Sequence, residues 1–251
     1  MSMSVRSLGI AAALLVVAAR LSAATVSDAE LRKWLEEVDA VRNAFPEAII
    51  SARAVHEIAG KVQGSVDFDV YRKGHERALL VFRGGKNSGR KMLTSGEKMW
   101  LIVPGARNAV PVSANQRLLG GASFGDVARI RFTGDFTPTL RGEELLDGRR
   151  AYVLDLTARV PGAPYPKLTL WLDRENRLPR QVLFYLPSGK PIRKVTFTKI
   201  LPVHGKTVVT EMEIRELLGR DSNAVTRLQY RDYRPAKIDD AIFTPEGARG
   251  L

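Results

Sequence analysis

Leu168-Thr169-Leu170-Trp171-Leu172-Asp173 places a leucine at every second position and then breaks at Arg174-Glu175-Asn176. A period of two sets the three leucines on one face of an extended strand. The polar cluster behind them marks a chain reversal. The same pattern runs outward in both directions. Tyr152, Leu154 and Leu156 alternate with Val153, Asp155 and Thr157; Val66, Phe68 and Val70 alternate with Ser65, Asp67 and Asp69. Ala78, Leu80 and Phe82 share a face, as do Val195 with Phe197, Met212 with Ile214, and Leu228 with Tyr230. Met99 to Val103 is a short apolar run closed by Pro104-Gly105. Strands joined by tight turns are antiparallel neighbours. About ten of them in a meander predict a mainly β (α+β) fold: one strongly curved antiparallel sheet, or an open barrel, with an apolar face and a face in water.

Two segments depart from this period. Ser27-Asp28-Ala29-Glu30 is a capping box, and Leu31, Trp34, Leu35, Val38 and Val41 follow at helical spacing, which predicts an amphipathic helix ending before Pro46. Between Val112 and Arg131 the alternation stops, and Gln116 to Ile130 reads as short helical pieces broken at Gly120-Gly121 and capped at Ser123. Both must bury an apolar face, and the open mouth of a curved sheet is the available surface.

The first residues carry a different signal. Arg6 precedes an apolar run from Leu8 to Val17, followed by Ser22-Ala23-Ala24. The run is short of the ~20 residues that span a bilayer, and the small residues suit signal peptidase. A cleavable signal over residues 1–24 is expected, then a single domain over 25–251, exported and soluble outside the cytoplasm. The chain has no cysteine, so neither a lipid anchor on a cysteine nor a disulfide is available. The 39 Lys and Arg against 27 Asp and Glu give +12; Arg6 and Arg20 leave with the signal, and +10 remains. Such an excess suits acidic partners, but the basic residues are scattered, and nucleic acid is not expected for an exported protein.

No catalytic constellation assembles from these residues. His56, His75 and His204 have no ligand cluster around them, so no metal and no cofactor are expected. Gly84 to Lys91 resembles a phosphate loop, but Arg90-Lys91 replaces the Lys-Ser/Thr pair and a strand follows it. Glu143-Glu144 and Asp239-Asp240 cannot each converge on one atom. The expectation is a protein that is not an enzyme.

Several blocks together resemble the LolA-like family of outer-membrane lipoprotein-sorting proteins, and within it a longer branch. These are Glu97-Lys98-Met99-Trp100-Leu101-Ile102-Val103-Pro104, Gly121-Ala122-Ser123-Phe124-Gly125-Asp126, Leu140 to Arg149 followed by Ala151-Tyr152, Leu170-Trp171-Leu172-Asp173 with Leu178-Pro179, and Ser188-Gly189 with Phe197. The likeness covers roughly residues 50 to 245. It implies a half-barrel with helices on its concave side and an apolar cavity for acyl chains. The cavity lining expected is Phe68, Phe82, Trp100, Leu154, Leu170, Phe197, Met212 and Leu228, beneath a lid carrying Leu118, Leu119 and Phe124. The function implied is a monomeric periplasmic carrier of lipid or lipoprotein acyl chains, with an envelope transporter or outer-membrane acceptor as protein partner. The alternative is a non-enzymatic accessory or sensor module of an envelope lipid-export or membrane-protein complex.

Overall fold

A computed structural model describes residues 26–251 apart from 115, 129 and 219–222. The expected signal over 1–24 lies outside the described residues. Helix α1 (Asp28–Arg42) begins where the capping box places it, with the Ser27 hydroxyl accepting a hydrogen bond from the Glu30 amide at 3.2 Å. It ends before Pro46, and Leu31, Trp34, Leu35 and Val38 are buried.

Six strands follow: β1 (Glu47–Ile58), β2 (Lys61–Lys73), β3 (Arg77–Arg83), β4 (Lys91–Ser95), β5 (Lys98–Ile102) and β6 (Val110–Pro111). The glycine-rich stretch at 84–90 becomes a single tight turn over Gly85–Asn87 that leads into β4. The interrupted region holds β7 (Arg117–Leu119), β8 (Ala122–Ser123), and the short helices α2 (Phe124–Ala128) and α3 (Phe132–Asp135). Then come β9 (Phe136–Leu146), β10 (Arg149–Ala158), β11 (Lys167–Asp173), β12 (Pro179–Tyr185), β13 (Pro191–Val203), β14 (Lys206–Glu216), β15 (Ala224–Pro235) and the terminal helix α4 (Pro245–Gly250).

Thirteen strands form one antiparallel sheet in the order β6-β5-β4-β3-β2-β1-β15-β14-β13-β12-β11-β10-β9, and the sheet does not close. This corrects the expectation of a single meander of about ten strands. Two meanders run away from a shared seam, where Ala54 of β1 faces Leu228 of β15. Local turn signals cannot reveal that seam, because it joins the two ends of the domain. The insert is corrected too. Its first piece is a hairpin, with Arg117 opposite Ser123 and Leu119 opposite Ala122. Gly120 takes φ +50° at the turn, a conformation that favours glycine.

One sheet face carries the main core. Phe68, Leu80, Phe82, Leu154, Leu156, Leu168, Leu170, Val182, Met212 and Leu228 pack there with α1 and the insert. The opposite face is not simply wet. Leu79, Val81, Leu93 and Ile102 are buried under Ile238, Phe243 and Ala248 of the C-terminal segment, and Ala151, Val153 and Trp171 form a smaller cluster. Strand β3 is therefore apolar on both faces.

Candidate functional site

The site lies between the main apolar face and the elements laid on it. Helix α1 stacks Trp34 on Tyr152, with ring centroids 4.7 Å apart. Phe124 of α2 meets Phe82 edge-on at 5.9 Å, and Phe82 meets Phe68 at 6.0 Å. Val127, Ile130 and Phe132 complete the underside of the insert.

Most of the expected lining residues come together here. Phe68, Phe82, Leu154, Leu170, Met212 and Leu228 are buried in one cluster with Leu118 and Phe124, while Leu119 and Phe197 are half-buried against it. Trp100 stands apart, packed on the opposite sheet face beside Leu79, Val81, Leu93 and Ile102. Within β5 it is Met99 that points to the main cluster.

Where the described residues line the interior, the protein's own side chains fill most of it. Voids of about 20 Å³ beside Ile50, Val70 and Met212, and about 10 Å³ beside Phe184 and Phe197, remain. Each holds one water molecule at most. The larger depressions, about 690 Å³ along the outer side of α1 and about 570 Å³ beside Pro46 and Pro235, open to solvent.

Polar groups fasten the roof, and sequence reasoning missed them. The Arg42 guanidinium donates to the carbonyls of Asp126 and Ile130 at 3.1 Å each. The Arg72 guanidinium donates to the Val127 carbonyl at 2.9 Å and is buried. These carbonyls lie at and just beyond the C-terminal end of α2, where helix carbonyls lack partners and cations are favoured. Asp39 of α1 accepts from the Phe132 amide at 3.0 Å, the Thr133 amide at 2.9 Å and the Thr133 hydroxyl at 2.6 Å. Arg193 of β13 donates to both Asp126 carboxylate oxygens and to Ser123 Oγ at 3.0 Å, and to Tyr165 Oη at 2.5 Å. At the hairpin the hydrogen bond is neutral, the Gly121 amide donating to Thr226 Oγ1 at 3.0 Å, and the one ion pair, Arg117 with Glu216 at 3.6 Å, is largely solvent-exposed. Segment 117–130 thus meets the sheet through side chains and not by strand pairing.

The electrostatics follow from burial. Burial, with Arg42 alongside, pushes the Arg72 guanidinium down to about 10, so it stays charged at neutral pH. Burial alone would lower Arg193, but Asp126 beside it reverses this and holds it above its usual value. Burial raises Tyr165 and Tyr233 far above the usual tyrosine range, helped by Asp126 and Tyr230 respectively. Tyr233 also donates its hydroxyl proton to the Val209 carbonyl at 2.6 Å. The sign of the effect on stability is direct. As pH rises through about 10, tyrosines ionise in the unfolded chain but not in the folded one, so the unfolded state binds fewer protons and stability falls. Arg72 and Lys91 oppose this, both being lowered by burial, but Tyr230, which burial raises to about 12, adds to it, and three raised tyrosines outweigh the two cations. The thermal midpoint is expected to drop steadily from pH 10 upward; calorimetry showing a flat midpoint to pH 11.5 would contradict it.

The other acidic pairs have structural duties. Glu143 meets Arg174 and Arg150, and Glu144 accepts from Trp171 Nε1. Asp240 pairs with Lys73 and Arg77. Asp239 caps the turn that follows it. Among the described residues, nothing in the apolar cluster sets a nucleophile beside a base; at the hairpin the Thr226 hydroxyl lies 3.2 Å from His56 Nδ1.

A family model described as an uncharacterized protein matches residues 74–247. No curated protein matches the chain. Among solved structures, a LolA superfamily protein from Nitrosomonas europaea superimposes with a TM-score of 0.78 at 26% identity, covering 89% of this chain and 99% of its own. A DUF1329 family protein from Desulfovibrio piger gives 0.72 at 21%, covering 86% and 96%. A domain assigned to outer membrane lipoprotein sorting, from Vibrio parahaemolyticus, gives 0.72 at 15%, covering 89% and 100%. The last two speak to the fold alone.

Proposed function

Because this chain belongs to the LolA-like family, we propose that it is a periplasmic carrier or binding protein for lipid or lipoprotein acyl chains, serving their sorting to the outer membrane, with helices covering the concave face of its sheet. The observation that carries the reading is a broad apolar sheet face roofed by α1 and the insert, which are fastened to it by side-chain hydrogen bonds. Such a roof can lift without breaking the sheet. Roughly a dozen methylenes at about 0.8 kcal/mol each contribute on the order of 10 kcal/mol. That matches several hydrogen bonds to charged groups at about 1.5–3 kcal/mol apiece. The filled interior is then the closed, unloaded state.

The same filled interior favours a second reading, an accessory or sensor module whose outer surfaces dock in an envelope complex. One preparation separates the two. Protein purified from an envelope fraction is extracted and analysed by mass spectrometry, and titrated with a fluorescent fatty acyl probe. The carrier is expected to yield acyl lipid in near-equal amount to protein and to take up the probe. A protein free of lipid, indifferent to the probe and held in a stable complex with another polypeptide would sink it.

A further inference from the structure

Three of the seven exposed large apolar side chains among the described residues gather at one place. Val62 is 63% exposed, Leu217 42% and Leu218 56%. These three share one end of the sheet. Val62 on β2 faces Glu57 on β1, and Ile58 faces both Lys61 and Ala224 of β15. The Leu217 amide donates to the Ile192 carbonyl at 2.8 Å, tying the end of β14 to β13. The register therefore runs one rim across five neighbouring strands, β2-β1-β15-β14-β13.

The charges on this rim have one sign to spare. Glu57 and Glu213 are held by Arg227 at 3.0 and 2.8 Å, and Glu216 faces Arg117 at 3.6 Å. Among the described residues, Lys61, Lys190 and Lys194 face no carboxylate, and Lys61 and Lys190 are exposed. Exposed leucine and valine ringed by unneutralised lysine is the combination that partitions into the headgroup layer of an anionic bilayer, the apolar tips entering and the ammonium groups meeting lipid phosphates.

The β7–β8 hairpin of the roof sits at this same end. Leu119 lies 3.9 Å from where a Cβ on Gly64 would be, and Arg117 reaches Glu216.

We propose that the rim formed by Val62, Leu217 and Leu218 with Lys61, Lys190 and Lys194 docks this protein on an anionic membrane surface, presenting the hairpin end of the roof to the lipid. This goes beyond the carrier reading and does not depend on it, since docking is read with no cargo present.

The test is co-sedimentation of the purified protein with vesicles of phosphatidylethanolamine and phosphatidylglycerol, against vesicles of phosphatidylcholine alone. Binding to the anionic vesicles is expected to be at least about tenfold tighter and to weaken with added salt. The double variant Val62→Glu/Leu218→Glu, both side chains being solvent-exposed, is expected to lose about tenfold of that binding with its thermal midpoint unchanged. Leu145→Glu, at a still more exposed leucine on another edge, should bind as the parent does. Equal binding to both vesicle types, no binding to either, or a double variant that binds like the parent would overturn the proposal. So would a dimer in sedimentation velocity that the double variant dissolves, which would make the rim a contact between copies of this chain.

Discussion

Asp126→Ala is expected to lower the unfolding free energy by about 3–5 kcal/mol, because it leaves the Arg193 guanidinium buried without its counter-charge. The two side chains are 1% and 8% exposed. The desolvation of Arg193 is offset by the carboxylate, Ser123 Oγ and Tyr165 Oη. Its Nε already has no partner, so little spare capacity remains to satisfy the charge. The Ser123 amide would lose its acceptor as well, since it donates to Asp126 at 2.7 Å. Urea unfolding reads the effect as a lower midpoint at unchanged slope. The double variant Asp126→Ala/Arg193→Met is expected to recover most of the loss, since an apolar pair of similar bulk avoids the desolvation altogether. A single-variant loss below about 1 kcal/mol would mean that the pair behaves as an exposed one and does not fasten the insert.

The legibility of this site in the sequence has a simple physical limit. Alternation finds a strand and its buried face, so Phe68, Leu154, Leu170, Met212 and Leu228 were readable as one wall. The capping box and the spacing of Leu31, Trp34, Leu35 and Val38 located α1. The fastenings were written in the same periods, as charges standing in apolar phases. Arg72 follows Phe68 and Val70 at the same parity, and Arg193 precedes Val195 and Phe197. Asp39 lies four residues after Leu35, and Arg42 four after Val38. A charge in an inward phase must find a partner or pay desolvation, so each was a detectable mark of a buried contact. Its partner was not detectable. Asp126 and the carbonyls of Val127 and Ile130 lie 55 to 93 residues from Arg72, Arg42 and Asp39 or their contacts, and no local pattern carries such a pairing.

Trp100 shows the converse. Alternation within Met99-Trp100-Leu101 is apolar on both sides, so periodicity gives no parity. The structure resolves it by covering the second face of β3 and β4 with the C-terminal segment. The β1–β15 seam escaped for the same reason as the roof contacts: it is a long-range pairing without a turn to announce it.

Locking the hairpin end of the roof is expected to abolish acyl-probe uptake. The roof is fastened unevenly. At α2 its contacts involve Arg42, Arg72 and the Asp126–Arg193 pair. At the hairpin they are the neutral bonds of Thr226 with the Gly121 amide and the Leu119 carbonyl, and an exposed Arg117–Glu216 pair that contributes little in water. Hydrogen bonds to charged groups contribute about 1.5–3 kcal/mol against about 1 for neutral ones, so the hairpin end lifts first. Gly121 and Glu216 offer a place to hold it shut. A Cβ on Gly121 would lie 3.0 Å from Glu216 Cγ, which stands where the sulfur of a cysteine would be. Roughly that separation divides a Cβ from the far sulfur of a disulfide. The chain has no cysteine of its own, so Gly121→Cys/Glu216→Cys can form a single bridge and no competing one. Oxidised, this variant should take up a fluorescent acyl probe at least about tenfold more slowly than after reduction, while each single variant responds to neither treatment. Uptake at equal rates in the bridged and reduced protein would place the route away from the hairpin, on the α1 side, where the charged fastenings would then have to yield first.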